Sequence, residues 1–163
     1  MKKTGLVLLV LIILVLVGAT EKTNAASILI PVAEFIPDGN TGYGSYSIHI
    51  RGGYLAGSAD YPCFVAPVRI PTNATKITKV VVYLQDWGLG TSNPYFTLDA
   101  INMATGSTES YLATEVSTDN GGELAIELSL DKKSLVKGRV YQLGACLDED
   151  QWLYGAKVVY TLP

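Results

Sequence analysis

The feature that most constrains this chain is a period-two alternation that returns along it in short runs. Between Glu123 and Leu130, residues Leu124, Ile126, Leu128 and Leu130 fall on one side of an extended backbone, with Ala125, Glu127 and Ser129 on the other. Successive side chains of a strand point to opposite faces, so the run predicts one face on a core and one in water. Apolar residues spaced three and four apart, which a helix requires, are scarce. From Lys76 to Gln85 the alternation gives way to consecutive Val80, Val81 and Val82, followed by Tyr83 and Leu84. That pattern predicts a central strand covered on both faces.

Further strands are predicted at Ile28 to Ile36, Tyr46 to Arg51, Cys63 to Ile70, Tyr95 to Met103, Ser110 to Val116, Val140 to Leu147 and Leu153 to Thr161. Between them stand turn formers such as Pro37-Asp38-Gly39-Asn40, Pro71-Thr72-Asn73 and Asp119-Asn120-Gly121-Gly122. About nine short strands with this punctuation predict an all-β domain, two antiparallel sheets packed as a jelly-roll-like β-sandwich. Asp131 to Lys137 is expected to form one helical turn in a crossover. Pro31 removes a ladder donor and favours a sheet edge for the first strand.

Ahead of that domain, Lys2 and Lys3 precede an apolar run from Leu6 to Val17, then polar and small residues through Ala25 and Ala26. This is the order of zones in a secretory signal. As a helix, Gly5 to Ala19 would reach only about 22 Å, short of the roughly 30 Å hydrocarbon core. The expectation is a cleaved signal peptide over residues 1–25 and one domain over 26–163, with cleavage after Ala19 as the alternative. The product would be secreted, with no membrane contact after cleavage. Losing residues 1–25 removes three lysines and one glutamate, which leaves nine basic and fourteen acidic residues and a formal charge near −5. Three arginines on such a surface give no stripe for a phosphate backbone, so nucleic acid is not an expected partner.

Several segments stand out as a set: Phe35-Ile36-Pro37, Cys63-Phe64-Val65-Ala66-Pro67-Val68-Arg69-Ile70-Pro71, Tyr83-Leu84-Gln85-Asp86, Ala104-Thr105-Gly106-Ser107-Thr108, Cys146-Leu147, and the closing run Leu153 to Pro163. Together they resemble a module of uncharacterised bacterial secreted and surface proteins. That module has a Cys-initiated C-F-x-A-P-V-x-L-P strand and a C-terminal L-x-G-V-x-V-x-Y-T-x-P strand. The module's L-P-x-G-A turn is replaced here by Pro71-Thr72-Asn73-Ala74. The resemblance implies a β-sandwich and carries no activity with it.

Catalytic patterns are sparse. His49 is the single histidine, placed on the wet side of a strand, and no G-x-S-x-G, P-loop or H-E-x-x-H occurs. Asp86 and Asp99 are the carboxylates a glycosidase-like reaction would draw on. Asp148, Glu149 and Asp150 share a loop and form a weak calcium candidate, although their spacing fits no defined calcium loop. No cofactor is expected. Trp87 stands beside Asp86, the Asp148-Glu149-Asp150 loop leads into Gln151-Trp152, and ten tyrosines add to the aromatic supply. Exposed rings beside polar groups can stack on sugars.

Cys63 and Cys146 form an even pair in an oxidising compartment and are expected to be bridged. The apolar segment from Ser27 to Phe35 could be donated to a neighbour's sheet, but pairing within its own sheet is the default. These readings favour a non-enzymatic extracellular module with a structural, cell-surface or adhesive role. A carbohydrate-binding module and a secreted glycosidase-like enzyme are the alternatives, and a glycan or another surface protein the partners left open. The carbohydrate reading requires Trp87, Trp152 or several tyrosines to form an exposed platform on one face or at one loop end.

Overall fold

A computed structural model describes residues 24–39, 47–49, 53–57, 61–88, 92–116, 118, 121–131 and 134–163. The expected signal peptide lies, up to residue 23, outside these. The strands are β1 (Asn24–Pro31), β2 (Ile36–Pro37), β3 (Ser47–His49), β4 (Tyr54–Ala56), β5 (Cys63–Val68), β6 (Lys76–Asp86), β7 (Tyr95–Asn102), β8 (Thr108–Glu115), β9 (Gly122–Leu128), β10 (Arg139–Cys146) and β11 (Gln151–Leu162). They form two antiparallel sheets. The first runs β3-β4-β11-β6-β9, with β1 also on β11, and the second runs β2-β5-β10-β7-β8. From β4 onward each connection crosses from one sheet to the other, except the β7–β8 hairpin. This is the winding of a jelly roll.

The core lies between the sheets. Val80, Val82, Leu84 and Val158 of the first sheet meet the layer of Phe64, Phe96, Leu98 and Leu143 of the second, all with 1% exposure or less. At about 1.5–3 kcal/mol for each fully buried large apolar side chain, these eight alone contribute on the order of 10–20 kcal/mol against chain entropy. At one end, Tyr111 and Tyr141 meet edge to face, centroids 5.4 Å apart. The Tyr111 hydroxyl donates to Ser134 O (2.6 Å), and the Tyr141 hydroxyl accepts from Val136 N (2.8 Å). Two buried phenols thereby hold the β9–β10 connection. Asp131 to Lys137, expected as a helical turn, is extended at Ser134, which bridges to Lys76. The pairing offered by β6 outcompetes a lone helical turn.

The strand expected over Ile28 to Ile36 is two strands in different sheets. β1 ends at Pro31, a 3-10 turn follows at Val32–Glu34, and β2 joins the second sheet against β5. With no N–H, Pro31 ends the ladder where the chain must change sheets. β1 pairs with β11 of its own sheet from Asn24↔Leu162 to Pro31↔Gly155. β4, absent from the predicted strands, is short and carries its own weak signal of three residues. Cys63 and Cys146 stand directly opposite each other on β5 and β10 and form a disulfide. Among the described residues, no helix is long and apolar enough to cross a membrane.

Candidate functional site

The outer face of the first sheet gathers aromatic side chains from β4, β6 and β11. On β11, Trp152 and Tyr154 point outward and Leu153 inward. Continued alternation would turn Ala156, Val158 and Tyr160 out to water. A register shift between Leu153 and Gly155 prevents this, since the extra residue returns Val158 and Tyr160 to the inner side. Such a bulge resets strand phase. Its Gly155 has φ 144°, and a Cβ there would lie 2.6 Å from the Ile30 carbonyl oxygen of β1. Only glycine allows the bulge and the approach of β1 together.

The bulge places two aromatics of β11 beside those of its neighbours. Tyr54 on β4 stacks on Trp152 with centroids 4.1 Å apart and planes 6° from parallel. It meets Tyr154 edge-on at 6.1 Å. Trp87, just beyond β6, meets Trp152 at 5.4 Å and 72° and is 51% exposed. Tyr83 on β6 is 37% exposed. The expectation that both faces of β6 are covered is therefore corrected: Val80, Val82 and Leu84 face the core, while Tyr83 and Gln85 look outward onto the aromatic face. A run of valines cannot by itself tell a doubly covered strand from one whose outer face is aromatic.

Polar groups border the rings. The Tyr154 hydroxyl donates to Gln85 Oε1 at 2.8 Å. Burial raises the Tyr154 pKa above its ordinary value, and the charge of Glu123 and the neighbouring Tyr54 add to the rise. Between Tyr83, Tyr154, Glu123 and Ala125 lies a cleft of about 440 Å³. It opens because Ala125, opposite Tyr83 on β9, contributes only a methyl group to this face.

Asp86, a sequence candidate, is turned inward, 3% exposed. Its carboxylate accepts from Gly88 N (2.7 Å), Gln151 Nε2 (3.3 Å) and the Thr118 hydroxyl. Gln151 also donates to Ser92 O (2.7 Å) and accepts from Asp148 N (2.8 Å). These bonds tie the loop ends at one pole of the sandwich. By capping Gly88 N–H, Asp86 sets the turn that presents Trp87. Its part is to position the platform rather than to line it.

Asp86 and Asp99 lie on different sheets, and Asp99 is half-buried within β7 opposite Gln142. Asp148 accepts from Ser92 N and Glu149 N, at 3.0 and 2.8 Å. Asp148 and Asp150 are buried while Glu149 is exposed, so the three carboxylates do not converge on one point. Among the described residues, no group of three His, Cys, Asp or Glu is placed to hold a metal ion. Of the candidate residues, then, Trp87 and Trp152 come together, with Asp86 behind them. Sequence reasoning missed Tyr54, Tyr83, Tyr154 and Glu123 as individuals. The outward parity of Tyr83 against Val82 and Leu84 was the available signal.

No protein-family model matches the chain, and no curated protein matches it. Among solved structures it is similar to the C-terminal CBM6 of LamC, a marine laminarinase of Zobellia galactanivorans. Identity is 11% and the TM-score 0.49, over 82% of this chain and 98% of that one. It is also similar to the xylan-binding module CBM15, at 14% identity and TM-score 0.49 over 85% and 97% of the two chains. CBM29_1, a family 29 carbohydrate-binding module of Piromyces equi, aligns at 7% identity and TM-score 0.46, over 86% and 92%. At these values the likenesses assign no ligand.

Proposed function

We propose that the chain is a secreted, non-enzymatic carbohydrate-binding module whose ligand lies across the outer face of the first sheet. The observation that carries this reading is the joined cluster of Tyr54, Trp152, Trp87 and Tyr154 beside a cleft edged by Tyr83 and Glu123. Pyranose rings present apolar C–H faces and polar edges. Aromatic faces take the first by dispersion and burial, while carboxylate, amide and phenol groups take the second by hydrogen bonds. A face built only for packing in a larger assembly would not need an exposed indole on a turn capped by a buried carboxylate. That favours glycan binding over a purely structural, cell-surface or adhesive role.

The test is tryptophan fluorescence, since the chain has only two tryptophans, one on and one within the platform. Acrylamide should quench emission from Trp87, and a bound glycan should shift the emission and protect it. Emission unreachable by quencher in the folded protein would remove the platform.

A further inference from the structure

Among the described residues lining the cleft, Glu123 is the one that carries charge. Glu123 is exposed on β9, opposite Gln85, and lines the cleft with Tyr83 and Tyr154. Further along the same strand Glu127 is held by Lys79 at 2.5 Å, whereas among the described residues Glu123 has no ion-pair partner. The cation of β11 nearest in register, Lys157, pairs with Val81, two positions down β6 from Tyr83. No described side chain lining the cleft carries positive charge. The cleft thus combines electron-rich ring faces with one uncompensated carboxylate, and both attract a cation. A neutral sugar uses the rings and leaves the carboxylate as an ordinary acceptor. A sugar carrying an ammonium group uses both.

Resting on the carbohydrate-binding reading above, we propose that this site prefers glycans whose units carry a free amine, with Glu123 as the residue that recognises the ammonium group. An exposed ion pair contributes at most about 1 kcal/mol, which corresponds to roughly a fivefold preference. The preference is a modest bias, and it should fall with added salt.

The experiment is calorimetric titration of the protein with three oligosaccharides of equal length: a glucosamine oligomer, its fully N-acetylated form, and a neutral glucose oligomer. The proposal expects the free-amine oligomer to bind about fivefold more tightly than either neutral one, and Glu123→Gln to erase that difference with the melting temperature unchanged, whatever it does to the shared level of binding. Equal or tighter binding of the neutral oligomers overturns the amine preference and leaves the carbohydrate reading standing. A preference that survives Glu123→Gln overturns the role of Glu123. Failure of all three oligomers to bind, with emission unchanged, overturns both.

Discussion

Trp152 lies face to face with Tyr54, their ring planes 6° apart, while its indole also meets the edge of Trp87. Three elements distant in sequence converge on this ring: β4, the turn after β6, and the start of β11. Trp152→Ala therefore removes the ring on which the others rest. Aromatic pairs contribute about 0.5–1.5 kcal/mol each beyond area burial. Loss of both pairs should lower stability by about 1–3 kcal/mol, and loss of the ring between Tyr54 and Trp87 should weaken glycan binding about tenfold or more, measured by calorimetry. Trp87→Ala should weaken it by less, with stability nearly unchanged because Trp87 is half exposed.

Asp86 predicts a coupling between stability and presentation. Asp86→Ala leaves the Thr118 hydroxyl and the Gln151 amide without their acceptor in a buried setting. Each such group costs about 1–3 kcal/mol, so urea denaturation should register a loss of about 3 kcal/mol. The Trp87 emission should also change, because the turn at Gly88 loses its cap.

Gly155 sets the phase of β11. A methyl group there meets the Ile30 carbonyl, so Gly155→Ala should detach β1. The expected readout is faster amide exchange along Ile28 to Ile30, with protection kept at Leu143 and Ala145 in β10. Uniform exchange across both sheets would instead mean that the bulge supports the whole sandwich.

The Cys63–Cys146 bridge closes a span of 83 residues. In the chain-entropy model this restricts the unfolded state by about 4.5 kcal/mol. Reduction should lower the melting temperature by about 10 °C or more. Alkylation and mass spectrometry should find no free thiol until reductant is added.

Tyr61 gives a pH dependence. Burial, then the charges of Glu115 and Asp148, raise its pKa to about 12, and its hydroxyl donates to Asn93 O. The folded state thus holds the proton more tightly than the unfolded chain. The associated stability is whole below about pH 10 and is lost as pH rises through about 12. Tyr61→Phe should remove this part of the alkaline loss, leaving the part due to Tyr111 and Tyr154, whose pKa values are also raised.

Much of the fold was legible in the sequence because alternation and turn residues are local signals. Glu123 to Leu130 and Tyr95 to Met103 announce their strands without help from the rest of the chain. Pairing Cys63 with Cys146 needed only their even count and the expectation of an oxidising compartment. The change of sheet at Pro31, the three-residue β4 and the bulge at Gly155 were not legible, because each is decided by a partner strand far away in sequence. The site shared this division. Trp87 drew notice as an indole beside an acid and Trp152 as one that closes an acidic loop, but Tyr54 joins them only through β4–β11 pairing. The inward turn of Asp86 depends on Thr118 and Gln151, which no spacing rule connects.

The most direct test of the central claim is the affinity of the wild-type protein and of Trp152→Ala for a panel of soluble oligosaccharides, measured by calorimetry with the fold of both checked by circular dichroism. The account predicts saturable binding of at least one oligosaccharide by the wild type and a loss of about tenfold or more in the variant. Binding of equal strength by a folded Trp152→Ala protein, or no binding by the wild type across the panel, would contradict it.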